Sequence, residues 1–359
     1  MLEMIDTNVG LETDELYEVN VNQVRGRYAA LSEDDRARRA RDIARQLGIS
    51  EAQWVAASCG PIRSVRLEGY GQEVFKHLGE LGRVMALTRN DLCVHERHGM
   101  YEDIKASGHV GLVLGPDIDL RVFFNVWGSV WAVQEHDRHS IQFFDKEGVA
   151  VHKVYCTPET DTARYLELVQ RYAVATTWPS VEVIKPDVRL DRVQEPQSFR
   201  QAWLNLKDTH DFFPMLRKFN VTRLGALLDV GTDLAQRVPV DSIDHMLRVA
   251  AASGLSIMCF VGNRGMIQIH TGTIHHVVQR GPWLNILDPA FNLHLDISHV
   301  SQVWVVNKPT ADGWVTSLEV YDAAGELIVQ FFGERKPGKP ELAPWRDLML
   351  SLCQHALAS

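Results

Sequence analysis

The chain has 359 residues, 45% of them hydrophobic, which is enough to bury a large core in one domain or two. Its formal net charge of −9 argues against a nucleic-acid partner, because neutralising phosphates requires a basic face. Five scattered cysteines without a CxxC pair indicate reduced thiols. The acidic N-terminus has no signal-peptide core, and no window approaches the ~20 apolar residues of a membrane span. A cytoplasmic protein that is not embedded in a membrane is therefore expected.

The first half begins with predicted helices and continues with predicted strands. Ser32 is a plausible N-cap for a helix over residues 32–48, and Ser50 for a second helix over residues 50–58. Short segments rich in β-branched and aromatic residues follow, with turn residues between them. These segments are "HVGLVLG" (109–115), "DLRVFFNVW" (119–127), "SVWAVQE" (129–135) and "HSIQFFD" (139–145). They predict the antiparallel strands of a meander.

An extended linker is predicted at residues 179–196. The segment "WPSVEVIKPDVRLDRVQEP" contains Pro179, Pro186 and Pro196 and shows no helical period.

The sequence is internally duplicated around that linker. Asn90 and Asn263 are separated by 173 residues, as are Trp131 and Trp304. The segments 140–155 and 317–332 match at an offset of 177, and the segments 44–54 and 216–226 match at an offset of 172. The fold class expected is therefore α+β with an internal structural duplication, in which two large antiparallel β-sheets are each flanked by α-helices. The expected domains are an N-terminal repeat (1–178), the linker (179–196) and a C-terminal repeat (197–359).

The two copies differ at several polar positions that lie among apolar neighbours. The pairs are Arg121 and His294, His210 and Arg38, Gln330 and Lys153, and Phe332 and Tyr155. The differences are explained equally by one joint site built from unlike parts and by drift on solvated faces, and spacing leaves both open.

His210 lies in "KDTHDFFPMLRKF" (207–219), just before a predicted helix. Asp208 or Asp211 is the expected cap, and Pro214 is compatible only with the first helical turn. The positive end of the helix dipole favours a neutral imidazole, the form that binds iron or zinc. Local sequence leaves open whether His210 is a ligand or a capping or packing residue.

Other candidates for metal-binding, catalytic or anion-binding residues have weaker support from the sequence pattern. In "IHTGTIHHVV" (269–278) the TGT segment predicts a hairpin turn, and on a strand His275 and His276 would point to opposite faces, so a shared metal ion is not expected. No GxSxG, GxxxxGK[ST] or GxGxxG motif occurs. Arg223, Lys308 and Arg335 lie beside apolar segments of the second copy, where they are either solvated or bind an anionic ligand.

Four long strings carry a family resemblance. They are "TRNDLCVHE" (88–96), "RHSIQFFDKEGVAVHKVY" (138–155), "FVGNRGMIQIHTG" (260–272) and "KPTADGWVTSLE" (308–319). They resemble the HemS/ChuS/PhuS family of bacterial haemin-binding, haemin-degrading proteins. The resemblance runs from about Arg38 to the C-terminal "PWRD" and includes the duplication.

The resemblance implies that haem (iron protoporphyrin IX) is the cofactor and implies roles for particular residues. His210 corresponds to the axial ligand of the haem iron, and Arg121 to a distal arginine that hydrogen-bonds water or oxygen. The propionate side corresponds to Arg223, Lys308, Gln330 and Arg335. Phe332 stands where the family usually has tyrosine, so one propionate hydrogen bond would be missing.

The function that the resemblance implies is cytoplasmic haem trafficking or storage in iron acquisition. The implied partners are haem, a haem ABC importer and a downstream haem oxygenase or reductase. One alternative is that oxidative haem degradation with an external electron donor is the main role. A second is an interaction scaffold that binds no haem. A further haem site using His95 or another first-half histidine also stays open.

Overall fold

The computed structural model describes residues 15–185, 187–335 and 338–359. Most of the acidic N-terminus and Pro186 of the predicted linker lie outside these ranges. The chain divides into two compact units. The first unit contains the described residues up to Arg89, together with Glu96–Lys185 and Asn263–Gln268. The second contains Asn90–His95, the described residues from Asp187 to Gly262, and those from Ile269 to Ser359.

The first repeat consists of short helices followed by a run of strands. Its helices are α1 (Glu15–Ala29), α2 (Glu33–Arg36), α3 (Ala40–Gln46), α4 (Glu51–Ala56), α5 (Gln72–Lys76) and α6 (Thr162–Tyr172). Its strands are β1 (Ile62–Leu67), β2 (Gly82–Arg89), β3 (Cys93–Gly99), β4 (Ile104–Ser107), β5 (Val110–Leu114), β6 (Asp119–Phe123), β7 (Trp127–Glu135), β8 (Arg138–Asp145) and β9 (Ala150–Thr160).

The second repeat has the same order of strands, but three helices rather than four are described before its first strand. Its helices are α7 (Pro196–Leu204), α8 (Phe212–Lys218), α9 (Arg223–Asp229), α10 (Ser242–Ser253) and α11 (Ala343–Leu352). Its strands are β10 (Ala235–Val238), β11 (Ile257–Gly262), β12 (Met266–Gly272), β13 (Val277–Arg280), β14 (Trp283–Leu287), β15 (Phe291–Asp296), β16 (Gln302–Thr310), β17 (Gly313–Tyr321) and β18 (Leu327–Gly333).

Within the described ranges the strands form two nine-stranded antiparallel sheets of matching order. One runs β1, β7, β8, β9, β2, β3, β15, β14, β13, and the other runs β10, β16, β17, β18, β11, β12, β6, β5, β4. Each strand of one repeat has its counterpart at the same place in the other sheet. The predicted fold class and duplication are therefore confirmed. Each sheet combines six strands of one repeat with three of the other. The comparison of the two repeats in the sequence did not predict this exchange of strands.

The predicted helix over residues 32–48 is two helices. The Ser32 hydroxyl accepts from the Asp35 amide and caps α2, as predicted, but α2 ends at Arg36 and α3 begins at Ala40. None of the α2 residues is buried, whereas Ile43 and Ala44 of α3 are, so packing favours a new helix axis over continuation. The second predicted helix is confirmed: Ser50 and Gln53 form a reciprocal capping box at α4.

Two predicted local structures are wrong because neighbouring segments join different sheets. "DLRVFFNVW" is not one strand: β6 ends at Phe123, a 3₁₀ turn covers Phe124–Val126, and β7 begins at Trp127 in the other sheet. The TGT segment is not a hairpin turn, because β12 and β13 also belong to different sheets. His275 and His276 therefore lie in the connection before β13 rather than on a strand.

His152, on β9, makes the stability of the first unit sensitive to acid. Its two ring nitrogens hydrogen-bond the hydroxyls of Thr88 (2.8 Å) and Tyr101 (2.5 Å), and all three residues are buried. Burial lowers the pKa of His152 from 6.5 to about 3. The unfolded state therefore binds the proton more readily, so the contribution is complete above pH 6.5 and is lost as the pH falls towards 3.

We expect each pH unit below 6.5 to cost up to about 1.4 kcal/mol of unfolding free energy from this group. Urea denaturation between pH 7 and pH 5 measures the slope. His152→Gln keeps hydrogen-bonding atoms but does not titrate, so its slope should be flatter. Equal slopes in both proteins would show that His152 does not carry the effect.

Candidate functional site

A fully buried carboxylate, that of Glu319 on β17, organises the polar residues of the second unit. Arg223 binds it in bidentate fashion, with Nε at 2.8 Å from Oε2 and Nη2 at 2.7 Å from Oε1. Lys308 Nζ and Gln330 Nε2 each donate to Oε1 at 3.0 Å. The hydroxyls of Ser317 (3.0 Å) and Tyr321 (2.5 Å) also donate to it. These six residues are called the Glu319 cluster: Arg223, Lys308, Ser317, Glu319, Tyr321 and Gln330.

Strand register and one helix terminus assemble this cluster. Glu319 lies opposite Trp304 of β16 and Gln330 of β18, so all three side chains share one face of the sheet. Lys308 lies four residues beyond Trp304 and therefore points to the same face. Arg223 is the first residue of α9, whose N-cap Thr222 accepts from the Gly225 amide. The N-terminus of α9 thus lies beside the polar side chains of this sheet face.

Opposite charges keep the cluster ionised although it is buried. Burial acts to raise the pKa of Glu319, but Arg223 and Lys308 outweigh it and hold that pKa well below its usual range. Burial lowers the pKa of Lys308 to about 8, with Arg223 acting in the same direction and Glu319 opposing. Burial also acts against the charge of Arg223, yet Glu319 raises the net pKa of that group. Two cations share one anion, so one positive charge is uncompensated within the cluster.

His210 is exposed rather than packed in the core. It lies in a 3₁₀ turn, Thr209–Asp211, and 87% of its side chain is accessible. Asp208 caps this turn by accepting from the His210 amide at 2.7 Å, and its Oδ1 lies 2.5 Å from His210 Nδ1. An Nδ1–H donated to that carboxylate leaves the lone pair on Nε2, the arrangement of a metal-binding imidazole. Of the two expected caps, Asp208 caps the 3₁₀ turn, whereas Asp211 is the N-cap of α8 and makes no side-chain cap bond. Pro214 is the third residue of α8, in its first turn.

The helix that follows His210 contacts the Glu319 cluster through its aromatic residues. Phe212 is buried, with Lys308 Nζ at 4.5 Å and the Arg223 guanidinium at 5.0 Å from its ring centroid. Phe213 is half exposed, and its ring lies 5.5 Å from the same guanidinium. The structure therefore brings His210, Arg223, Lys308 and Gln330 into one region of the second unit.

The end of β18 extends this region with an aromatic surface and another cation. Phe332 is half buried, shares a face with Gln330, and lies 5.1 Å from Phe260 between ring centroids. Arg335 follows the strand, and its charge helps to lower the pKa of Asp208, after the hydrogen bonds from His210. Arg335 Nε is buried and has no hydrogen-bond partner within the part of the chain that the structure describes. An anion could accept from this donor.

Arg121 lies in the first unit, at the centre of β6 and opposite Leu112 of β5. Its guanidinium contacts the Asp119 carboxylate and donates to the Leu120 carbonyl at 3.2 Å. About a third of its side chain is exposed. Its position on the distal side of a haem stays a prediction.

The remaining histidine candidates have other neighbours. His276 Nδ1 lies 2.9 Å from Asp288 Oδ1, and the rings of His275 and His276 are 6.5 Å apart. His95 is fully buried against Phe291. In residues 15–185, 187–335 and 338–359 no group of three or more His, Cys, Asp or Glu side chains is arranged to hold a metal ion.

None of the helices in those ranges combines the length and apolar composition that crossing a bilayer requires.

Glu319 was not among the residues that the sequence analysis singled out. A signal existed for Glu319, because it is a charged residue at an inward position of the strand "SLEVY" and corresponds to Gln142 of the first repeat. Its partners, however, come from positions as far as 96 residues away.

Comparison with known proteins shows close relatives over most of the chain. The model of the haemin-degrading HemS.ChuX domain matches twice, at residues 48–172 and 220–352. The hemin transport protein HemS of Yersinia enterocolitica is 38% identical over 341 residues, which are 92% of this chain and 98% of that protein. The structure of haem-bound PhuS, a haem-binding protein of Pseudomonas aeruginosa, superimposes with a TM-score of 0.89 at 41% identity, covering 94% of this chain and 99% of that one. ChuS, a haem oxygenase of Escherichia coli, gives a TM-score of 0.83 at 37% identity, covering 92% and 99%.

Proposed function

Since this chain belongs to the family of haemin-degrading HemS.ChuX-domain proteins, we propose that it is a cytoplasmic haem-binding protein that receives imported haem and passes it on. The observation that carries the proposal is the arrangement in the second unit. There an exposed imidazole, oriented by a carboxylate, is followed by a helix packed on two buried cations beside a half-buried aromatic face. Haem requires these three features: an axial ligand, cations for two propionates and an apolar surface.

His210 would supply the axial ligand to the haem iron through Nε2. Its exposure makes the nitrogen accessible, and Asp208 fixes the tautomer. The bound haem would supply iron and porphyrin redox chemistry, whereas the protein controls binding and orientation.

The propionate end would be held by Arg223, Lys308, Gln330 and Arg335. Arg335 has a buried, unsatisfied Nε donor, and the Glu319 cluster carries an uncompensated positive charge. The family's usual tyrosine hydroxyl is absent at Phe332, which packs on Phe260 instead. Arg121 would act on the distal face, where its permanent charge suits hydrogen bonding to a ligand of the iron.

Hemin titration of the purified protein tests the proposal. A Soret band typical of a histidine-ligated haem, saturating at one haem per chain, is expected. Free-hemin spectra throughout the titration would contradict the proposal and would favour the alternative, an interaction scaffold that binds no haem.

Oxidative haem degradation is the second candidate, favoured by the 37% identity to ChuS, a haem oxygenase. The loaded protein would be given ascorbate or a reductase, oxygen and catalase, and assayed for carbon monoxide and a linear tetrapyrrole. Products above the coupled-peroxide background would favour degradation, whereas their absence would leave trafficking. An inner-membrane haem ABC importer as donor, and a haem oxygenase or reductase downstream, are the partners that either role implies.

Asp208 should tune the iron through His210. We expect Asp208→Asn to weaken haem binding roughly tenfold to hundredfold and to raise the reduction potential, because the imidazole loses its carboxylate partner and donates less charge. Spectroelectrochemistry and hemin titration measure both quantities. Asp211→Asn is the matched control, because Asp211 makes no side-chain cap bond. Equal potentials in the two variants would contradict the role of Asp208.

A further inference from the structure

We infer that Glu319 is the positioning residue of the haem site: its buried carboxylate holds Arg223, Lys308 and Gln330 ready for the propionates before haem arrives. The inference rests on the proposed function and assigns Glu319 a role in selecting a dicarboxylate ligand. Glu319 itself, being fully buried, would act through these three side chains.

The first argument is geometric. Both carboxylate oxygens of Glu319 are in use: Oε1 accepts from Arg223, Lys308, Gln330 and Ser317, and Oε2 accepts from Arg223 and Tyr321. The Lys308 and Gln330 side chains are thereby both held at the same carboxylate oxygen, Oε1. Side chains of this kind lose much rotamer freedom when they bind a ligand, so holding them beforehand lowers the cost of binding.

The second argument comes from the first repeat, where the charges are reversed. Glu51 is the first residue of α4, as Arg223 is of α9, and the two correspond at the offset of 172. Glu51 pairs with Arg89 at 2.5 Å and with Lys153 at 3.9 Å, and Lys153 corresponds to Gln330. The fold therefore accepts an ion pair of either sign between helix and sheet. Packing alone does not explain why the second repeat presents cations, whereas a carboxylate ligand does.

The third argument concerns the charges of the cluster in the protein without bound haem. Arg223 and Lys308 are both buried, and without an anion between them Lys308 would lose its proton. Glu319 keeps both groups charged when no haem is bound. Arg335 adds a third cation to the region, and its charge also acts on Asp208. Haem can thus leave without the site losing its charge, which suits a protein that passes its ligand on.

The test compares haem with its dimethyl ester, which has the same ring and iron but no free carboxylates. We expect Glu319→Gln to weaken haem binding about tenfold or more while leaving the Soret position and the affinity for the ester nearly unchanged. The control is Glu341→Gln: this carboxylate is also largely buried and accepts from the Thr316 amide and hydroxyl, but it is outside the cluster. It should lower stability without changing the haem-to-ester ratio.

A pH series adds a readout that a purely structural role would not move. Lys308 donates to Glu319, is affected by the charge of Arg223 and contacts the Phe212 ring. It shares the Glu319 carboxylate with Ser317, Tyr321 and Gln330. Haem affinity of the unaltered protein should fall as the pH rises through about 8, where Lys308 loses its proton. In Glu319→Gln the fall should occur at lower pH, because the anion that favours protonated Lys308 is gone.

Unchanged haem affinity in Glu319→Gln, or equal losses for haem and ester, would overturn the inference. If Glu319→Gln does not fold, Glu319→Asp is used instead. This variant keeps the negative charge but shortens the side chain by one methylene. It should lose affinity for haem and not for the ester, and equal losses again overturn the inference. If the unaltered protein binds neither ligand, the proposed function itself fails, which is a separate result.

Discussion

Replacement of His210 by alanine should weaken haem binding by about hundredfold or more and remove the Soret signature of histidine ligation. The iron–nitrogen bond is the one contact in the proposed site that is specific for the metal. A hundredfold loss corresponds to about 2.7 kcal/mol of binding free energy. Because the side chain is 87% exposed, its removal should hardly affect folding, so the loss reports on binding.

His275→Ala is the matched control for His210→Ala. His275 is also an exposed histidine of the second unit, and it hydrogen-bonds Thr273 at 3.3 Å outside the region around His210. Its replacement should leave the titration and spectrum unchanged. Should both variants behave alike, the assignment of the axial ligand to His210 is wrong.

Replacement of Arg223 by methionine should lower the free energy of unfolding of the second unit by about 3–5 kcal/mol. The substitution removes both bidentate contacts to Glu319 and leaves a fully buried carboxylate with Lys308 as its remaining cation. The desolvation cost of the carboxylate is then poorly compensated, whereas methionine retains much of the apolar contact with Phe212. Chemical denaturation followed by tryptophan fluorescence measures the loss.

Two further variants decide the cause of that loss. Arg192→Met removes a bidentate pair with Asp229 in which the arginine side chain is 72% exposed and Asp229 keeps the hydrogen bond from the Val193 amide, so it should cost much less stability. Arg223→Met combined with Glu319→Gln removes both members of the buried pair and should recover part of the stability, because no buried anion is left unpaired and Lys308 can become neutral. If the double variant is no more stable than the single one, lost packing rather than an unpaired charge explains the effect.

Local patterns in the sequence were sufficient for several elements, whereas the candidate residues depended on the family resemblance. The Ser50 cap, the Asp208 cap and the strands of each repeat depend on residues within a few positions of one another. The family resemblance implied roles for His210, Arg223, Lys308, Gln330, Phe332 and Arg335. The structure places these residues in one unit, while the role of each and the distal role of Arg121 stay predictions.

The sequence by itself therefore determined the duplication and the α+β class, because these depend on repetition and on local periodicity, whereas the candidate ligands followed from the family resemblance. Tertiary structure alone decided that three strands of each repeat belong to the other sheet, since strand partners are not encoded in alternation. It also decided that Glu319 is buried at the centre of the cations. A charge becomes stable in a core only when its partners are brought from distant positions, and here they come from α9, β16 and β18.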